Sequence, residues 1–281
     1  MRDPQEGIVV GHGLHFHDSI LKQLFDGVKL QILDSELAPK IDGSYKINDM
    51  ITGYGVVESI VAYYKEFEAT ASLKDKKVSV QGWGAVGAAT GYYLAKKGAK
   101  VVAILNKIGT LKKADGFSEQ EITNLFIAKT SEGEFIHTDK STNNEEIYDV
   151  EADIFLPCAN SGLVKKEYLK KMKDKGIKLI SSGANIPFDG QFTKGKGVDL
   201  YNDVVEFADK NFILIPDFIA NCGMAHTFAY LMKYRADVRD SSIFNSVSKT
   251  ISHAIYEINN DSNNLPFTEK ALRIALNKLG Y

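Results

Sequence analysis

The stretch KVSVQGWGAVGAATGYYLAKKGAKVVAILNKIG, Lys77 to Gly109, decides how the chain is read. It opens with apolar residues over a strand's length, passes through a glycine-rich turn, and continues with apolar residues at helical spacing. A second strand-length run, Lys100–Leu105, follows. Gly82, Gly84 and Gly87 stand in G-x-G-x-x-G register between the first strand and a helix starting at Val86. Each glycine has a mechanical part: Gly82 permits the tight turn, Gly84 lets backbone come close to a diphosphate, and Gly87 lets the helix sit against the strand. The helix start also directs unpaired N–H groups and a partial positive charge at the same point. The same glycines would serve a bare βα turn. With a strand before, a helix after and a second strand beyond, they predict a dinucleotide site built on Gly82, Trp83, Gly84, Ala85, Val86 and Gly87.

The end of the second strand is unusual for such a site. There an Asp or Glu ordinarily accepts hydrogen bonds from the adenosine ribose, whereas this chain has Asn106 and Lys107. Asn106 can bond a hydroxyl but carries no charge, which weakens NAD binding by roughly 1 kcal/mol. Lys107 can meet the extra phosphate of NADP, or serve as an ordinary solvated lysine. The expected coenzyme is NAD or NADP, with a tilt to NADP.

From Ile51 onward, strand-length apolar runs alternate with helical segments, the pattern of a parallel sheet covered on both faces. Predicted strands are Lys77–Gln81, Lys100–Leu105, Asp153–Pro157, Lys178–Ser181 and Phe212–Ile215. Predicted helices are Thr52–Ala69, Val86–Lys97, Glu119–Lys129, Lys165–Lys175, Leu200–Lys210, Ala220–Lys233, Ser241–Ile258 and Thr268–Leu279. The region Lys107–Val150 reads as a polar, irregular excursion with a short hairpin tipped by Glu132-Gly133. The expected organisation is an N-terminal segment over 1–50, a helix running into a strand and then loop, followed by a dinucleotide-binding domain over 51–281.

Composition removes several function classes. The 281 residues are 44% hydrophobic, enough for one large core. A formal net charge of −2 offers no field for nucleic acid or anionic lipid. No run approaches the ~18 apolar residues of a membrane span, and the N-terminus has no apolar signal core. Two cysteines, Cys158 and Cys222, each follow an apolar run and read as buried reduced thiols. A cytoplasmic protein is expected, without nucleic-acid or membrane partners.

Four further segments resemble the cofactor domain of the glutamate, leucine, phenylalanine and valine dehydrogenase family. They are ITGYGVVES (Ile51–Ser59), ADIFLPCANSGLV (Ala152–Val164), IKLISSGANIPF (Ile177–Phe188) and ILIPDFIANCGM (Ile213–Met224). With the glycine loop they occur in the family's order. The resemblance implies a Rossmann-type α/β domain and oxidative deamination of an L-amino acid, with hydride passed to a nicotinamide. It implies that Thr52 stands near the nicotinamide end and that Cys158, Ala159 and Asn160 lie along the cofactor. Asn185 and Asn221 correspond to amides that orient the nicotinamide. The implied partners are a small-molecule substrate, an L-amino acid or 2-oxo acid; assembly with further copies of the chain stays open.

The departures concern the substrate side. Ala85 replaces an asparagine and Trp83 a phenylalanine in the loop, Ser182 replaces a glutamate, Met224 a glycine and Phe228 a serine. Family members carry a substrate lobe before the TGYGV segment, with a glycine-flanked lysine and an aspartate. Here fifty residues precede Ile51, and in LAPKIDG Lys40 takes the aspartate's place. No catalytic residue is assigned, since deamination needs an acid–base group within reach of the amine. Three readings follow: a dehydrogenase whose catalytic lobe is absent or unrecognisable, a non-catalytic NAD(P)-binding regulatory or partner subunit, or another oxidoreductase class with its catalytic group supplied from the first fifty residues or a second subunit. His12, His15, His17 and Asp18 cluster without the spacing of a familiar zinc site and read as a polar loop. His226 is expected either to meet ligand or to be bonded within its helix.

Overall fold

The computed structural model describes residues 29, 31–34, 37–38, 45–130, 143–193, 197–233 and 239–281. The elements in chain order are α1 (Ile47–Phe67), β1 (Lys77–Gln81), α2 (Ala85–Lys96), β2 (Lys100–Asn106), β3 (Gly109–Lys112), α3 (Glu119–Thr130), a 3-10 turn (Asn144–Asp149), β4 (Ile154–Pro157), α4 (Lys166–Asp174) and β5 (Leu179–Ser181). They continue with β6 (Phe192–Thr193), β7 (Gly197–Val198), α5 (Asp203–Asn211), β8 (Ile213–Ile215), α6 (Asp217–Ala220), α7 (Gly223–Lys233), α8 (Asp240–Asn260) and α9 (Phe267–Leu279).

Six strands form one sheet in the order β3-β2-β1-β4-β5-β8. All neighbours run parallel except β3, which pairs antiparallel with β2. The chain builds outward from β1 through β2 and β3, then returns to lay β4 on the other side of β1. That reversal opens a crevice outside the carboxyl ends of β1 and β4, where open α/β sheets hold ligands. The doubly wound, mainly parallel sheet expected from the sequence is the one observed.

Strand residues alternate between two cores, as the period-2 pleat requires. Ile154 and Leu156 of β4 join the core formed with α1, α2 and α8, whereas Phe155 joins the one formed with α4 and α5. Leu179 and Ile180 of β5 divide in the same way. Helix starts follow capping chemistry: Asn202 accepts from the Val204 and Val205 amides ahead of α5, and Asp209 accepts from the Thr268 and Glu269 amides at the start of α9.

Several elements differ from the sequence reading, the short β6–β7 pair and the 3-10 turn among them. The segment Gly109–Lys112, expected to be irregular, adds the antiparallel edge strand β3, because Asn106 and Gly109 pair across a two-residue turn. The predicted helix Ala220–Lys233 begins at Gly223 as α7, and a separate short helix, α6, precedes it, with Asn221-Cys222 between the two. There a β-carbon on Gly223 would stand 2.5 Å from the Ile51 carbonyl, so close packing against α1 governs the local path. Helix α1 begins at Ile47, ahead of the predicted Thr52, with the Asp49 carboxylate accepting from the Lys46 amide. The expected hairpin at Glu132-Gly133, Lys40, and most of the segment over 1–44 lie outside the described residues. Among the described residues, no helix is long and apolar enough to cross a membrane.

Candidate functional site

The carboxyl ends of the parallel strands are drawn together by a series of close approaches. Gly82, at φ +96°, leaves β1 and donates its N–H to the Leu105 carbonyl of β2 at 2.8 Å. A β-carbon on Gly82 would stand 2.7 Å from the Ala159 nitrogen, so the turns after β1 and β4 touch through backbone. Gly87 meets the Gly82 carbonyl so tightly that its β-carbon would lie 1.8 Å from that oxygen. Gly183, after β5, lies against the Cys158 sulfur, and Gly223 against the Thr52 backbone. The glycines therefore bring Thr52, Cys158-Ala159-Asn160 and the loops after β5 and β8 to one edge of the sheet.

Gly84 is different. A β-carbon placed there meets no atom within 4 Å, although neighbouring Gly82 and Gly87 are hemmed in. It is the N-cap of α2 and supplies no side chain to the first turn, which also lacks an acidic residue. The unpaired amides and the positive end of α2 thus face open space over Gly84 and Ala85. Val86 is half-buried beside them. This cradle, unfilled by its own side chains, has the shape and polarity for a diphosphate.

Trp83 turns inward. Its ring packs on Gly91 of α2, and its indole N–H donates to the Leu125 carbonyl of α3 at 3.1 Å. It ties the glycine loop to α3 and keeps its own ring away from the loop surface, where Gly84 and Ala85 are exposed. Cys158 and Cys222 are buried, and burial pushes both thiols up to about 12; contact with Thr90 opposes the shift at Cys158. Both are poor nucleophiles at neutral pH.

At the β2 end, Asn106 Oδ1 accepts from the Ile108 amide at 2.9 Å, closing the turn into β3. That bond takes one of the two lone pairs of Oδ1, so the side chain keeps one acceptor site and the Nδ2 donor for a ligand. Lys107 is exposed at the tip of that turn and has no ion-pair partner among the described residues.

The loops after β4, β5 and β8 share a hydrogen-bonded network. Asn221 Nδ2 donates to the Gly183 carbonyl at 2.8 Å and to Asn185 Oδ1 at 3.1 Å. Ser161 Oγ donates to the Asn185 carbonyl at 2.8 Å. Asp217, which the sequence reading did not single out, accepts from the Ile186 amide at 2.7 Å through Oδ2 and from the Phe218 amide at 2.9 Å through Oδ1. Burial raises the pKa of this carboxyl, and the two amides oppose the shift. Its sequence signal was an Asp placed directly after the strand-ending Pro216. Asn160 and Asn185 are exposed and Ala159 and Asn221 half-buried, whereas Thr52 is buried.

Ser182, directly after β5, is buried with a hydroxyl that finds no partner in the described structure. His226 shares a hydrogen bond with Ser246 at 2.8 Å, bridging α7 and α8, and burial lowers its pKa. Among the described residues no group of three or more His, Cys, Asp or Glu is arranged to hold a metal ion. His12, His15, His17 and Asp18 lie outside those residues.

Comparison with known proteins matches this architecture. Residues 43–233 match the family model for glutamate/leucine/phenylalanine/valine dehydrogenase. The leucine dehydrogenase of Thermoactinomyces intermedius is 30% identical over 174 residues, covering 62% of this chain and 38% of that protein. The NADP(+)-dependent glutamate dehydrogenase of Pyrobaculum calidifontis is 28% identical over 186 residues, covering 63% and 39% respectively. Among solved structures, the hetero-hexameric glutamate dehydrogenase of Thermus thermophilus in its Leu-bound form superimposes with a TM-score of 0.66 at 19% identity, covering 86% of this chain and 54% of that one. That likeness is one of fold. The chain belongs to the glutamate/leucine/phenylalanine/valine dehydrogenase family, and it spans about two fifths of the length of the relatives it matches in sequence.

Proposed function

We propose that the chain is the nicotinamide-dinucleotide-binding part of an amino-acid dehydrogenase, with residues 51–281 as its dinucleotide-binding domain. One observation carries the reading: Gly84 opens onto free space at the bare N-terminus of α2, while the glycines on either side are sterically required. The loop from Gly82 to Gly87 would hold the diphosphate through backbone amides. Asn160 and Ala159 would lie along the middle of the dinucleotide, at the switch point between β1 and β4.

Asn185 and Asn221 suit the nicotinamide end. The Asn221 amide is spent on Gly183 and Asn185, which leaves Asn221 Oδ1 as an acceptor and Asn185 Nδ2 as a donor. One acceptor beside one donor complements a carboxamide, which offers one of each. A nicotinamide coenzyme, when bound, supplies the ring that takes or gives a hydride.

At the adenosine end we infer a preference for NADP over NAD. Asn106 carries no negative charge and offers an Nδ2 donor, and Lys107, with no ion-pair partner among the described residues, adds a cation beside it. Both favour a 2′-phosphate over a bare ribose hydroxyl.

Deamination also needs an acid–base group within hydrogen-bond reach of the amine. Strand-end residues 158–162, 182–187 and 216–223 include no lysine and one carboxylate, Asp217, which is engaged by two amides. We infer that the acid–base group comes from beyond these loops. The same observation favours a second reading, a non-catalytic NAD(P)-binding regulatory or partner subunit. A panel of L-amino acids with each coenzyme, followed by absorbance of the reduced nicotinamide, tests the pair. Turnover supports the dehydrogenase; where the chain binds coenzyme without turnover, a glycine-flanked lysine encoded in frame upstream supports the dehydrogenase part and its absence supports the subunit.

A further inference from the structure

The loop between β5 and β6 is held residue by residue from outside. The Gly183 carbonyl accepts from Asn221, the Ala184 amide donates to the Pro157 carbonyl at 2.7 Å, and Asn185 is held by Ser161 and Asn221. Ile186 then adopts φ +40°, a left-handed conformation that a β-branched residue rarely takes. Such a conformation persists only where the surroundings over-determine it. Ile186 is fixed on both sides: its carbonyl accepts from the Gly162 amide at 3.0 Å, and its amide donates to Asp217 Oδ2 at 2.7 Å.

Asp217 is the one charged group in this network, and its bond to Ile186 is charge-assisted. Its other oxygen is fixed by the Phe218 amide at the start of α6, so the carboxylate is set before any ligand arrives. Asn221 lies at the far end of the same short helix. A single segment, 217–221, therefore grips the loop at Gly183, Asn185 and Ile186. We propose that Asp217 is a positioning residue for the nicotinamide end of the site: by holding Ile186 left-handed it sets the direction in which the Asn185 amide presents its donor. This rests on the dinucleotide reading given above.

Without the Asp217 carboxylate, Ile186 relaxes toward ordinary backbone angles and Asn185 turns with it. Contacts at the diphosphate and adenosine ends, on the far side of β4, are untouched. The two ends of the ligand thus respond differently, which a general loss of stability would not produce.

The test compares NADP+ with 2′-phospho-ADP-ribose, which has the same adenosine and diphosphate but no nicotinamide, by calorimetric titration of the full chain. Wild type is expected to bind NADP+ the more tightly. In Asp217→Ala the NADP+ affinity should fall roughly tenfold, the equivalent of one good hydrogen bond, while 2′-phospho-ADP-ribose binds as before. Asp217→Asn keeps one acceptor, guards against a folding failure in the alanine variant, and should fall between them. In a cycle with Asn185→Ala, the double variant should lose no more than the larger single loss, because both act through one contact. Equal binding of NADP+ by wild type and both Asp217 variants overturns the inference. So does a parallel loss of both ligands, or additive losses in the cycle. If wild type binds neither ligand, the dinucleotide reading fails, and the inference with it.

Discussion

Gly82 and Ala159 meet backbone to backbone across the switch point of the sheet, with the β-carbon that Gly82 lacks falling 2.7 Å from the Ala159 nitrogen. This contact joins the turn after β1 to the turn after β4 and fixes the floor of the crevice. Three glycines in one motif therefore have unequal structural weight, and substitution can separate them.

Gly82→Ala combines a left-handed φ with the collision at Ala159, and Gly87→Ala collides with the Gly82 carbonyl. Each should lose about 2 kcal/mol or more of stability in urea denaturation. Gly84→Ala meets no atom within 4 Å at an ordinary φ, and its stability should fall by no more than about 1 kcal/mol, the cost of a poorer N-cap. Equal losses at all three positions would contradict the division of labour described here.

Trp83 makes a measurable contribution outside any ligand. Trp83→Phe removes the indole N–H from the Leu125 carbonyl and thins the packing on Gly91. A cost of about 1–2 kcal/mol is expected in the same assay. A variant as stable as wild type would show that the bond to α3 contributes nothing.

Coenzyme choice should respond to the turn after β2. Lys107→Ala should weaken NADP binding about threefold to tenfold, as for an exposed charge contact, and leave NAD unchanged. Asn106→Asp keeps an oxygen for the Ile108 amide yet adds a charge that repels a 2′-phosphate. It should reverse the preference toward NAD. Dissociation constants for both coenzymes on the three proteins check this, and an unaltered ratio contradicts the assignment.

The buried thiols give the protein an alkaline limit. Cys158 and Cys222 are raised by burial from an ordinary value near 9.0 to about 12. The unfolded chain therefore releases these protons first, so stability is intact below about pH 9 and declines as pH rises toward 12. Each thiol adds to that decline, because its proton is held more tightly in the folded state than in the unfolded chain. Urea denaturation at pH 7.5 and 10.5, with the Cys158→Ala/Cys222→Ala variant as control, should show a steeper decline in wild type. Parallel declines would mean that the thiols do not contribute.

Much of this was legible in the chain itself. The parallel strands read cleanly because each is a short, buried and largely apolar run; β1, with Val78 and Val80 on one face and the buried Ser79 and Gln81 on the other, kept its predicted bounds. The glycine register named the loop because Gly82 and Gly87 each avoid a specific clash and Gly84 leaves the helix start open. What sequence could not show were features made by distant pairs. Strand β3 is four residues opened by a glycine and exists by pairing with β2. The break at Asn221-Cys222 goes with the packing of Gly223 on Ile51 of α1, and with the Asn221 bond to the Gly183 carbonyl, 38 residues away. Trp83 read as a loop residue and proved to be an anchor, since its partner Leu125 lies on another helix. Asp217 gave only a strand-end Asp, with nothing local to mark its hold on Ile186.

Calorimetric titration of wild type and Gly84→Ala with NADP+ and NAD+ tests the central claim most directly, because this substitution leaves the fold untouched and fills the cradle at α2. Wild type should bind both coenzymes, NADP+ more tightly, and the variant should lose at least tenfold for each, about 1.4 kcal/mol. Absence of binding by wild type, or equal binding by the variant, would contradict it.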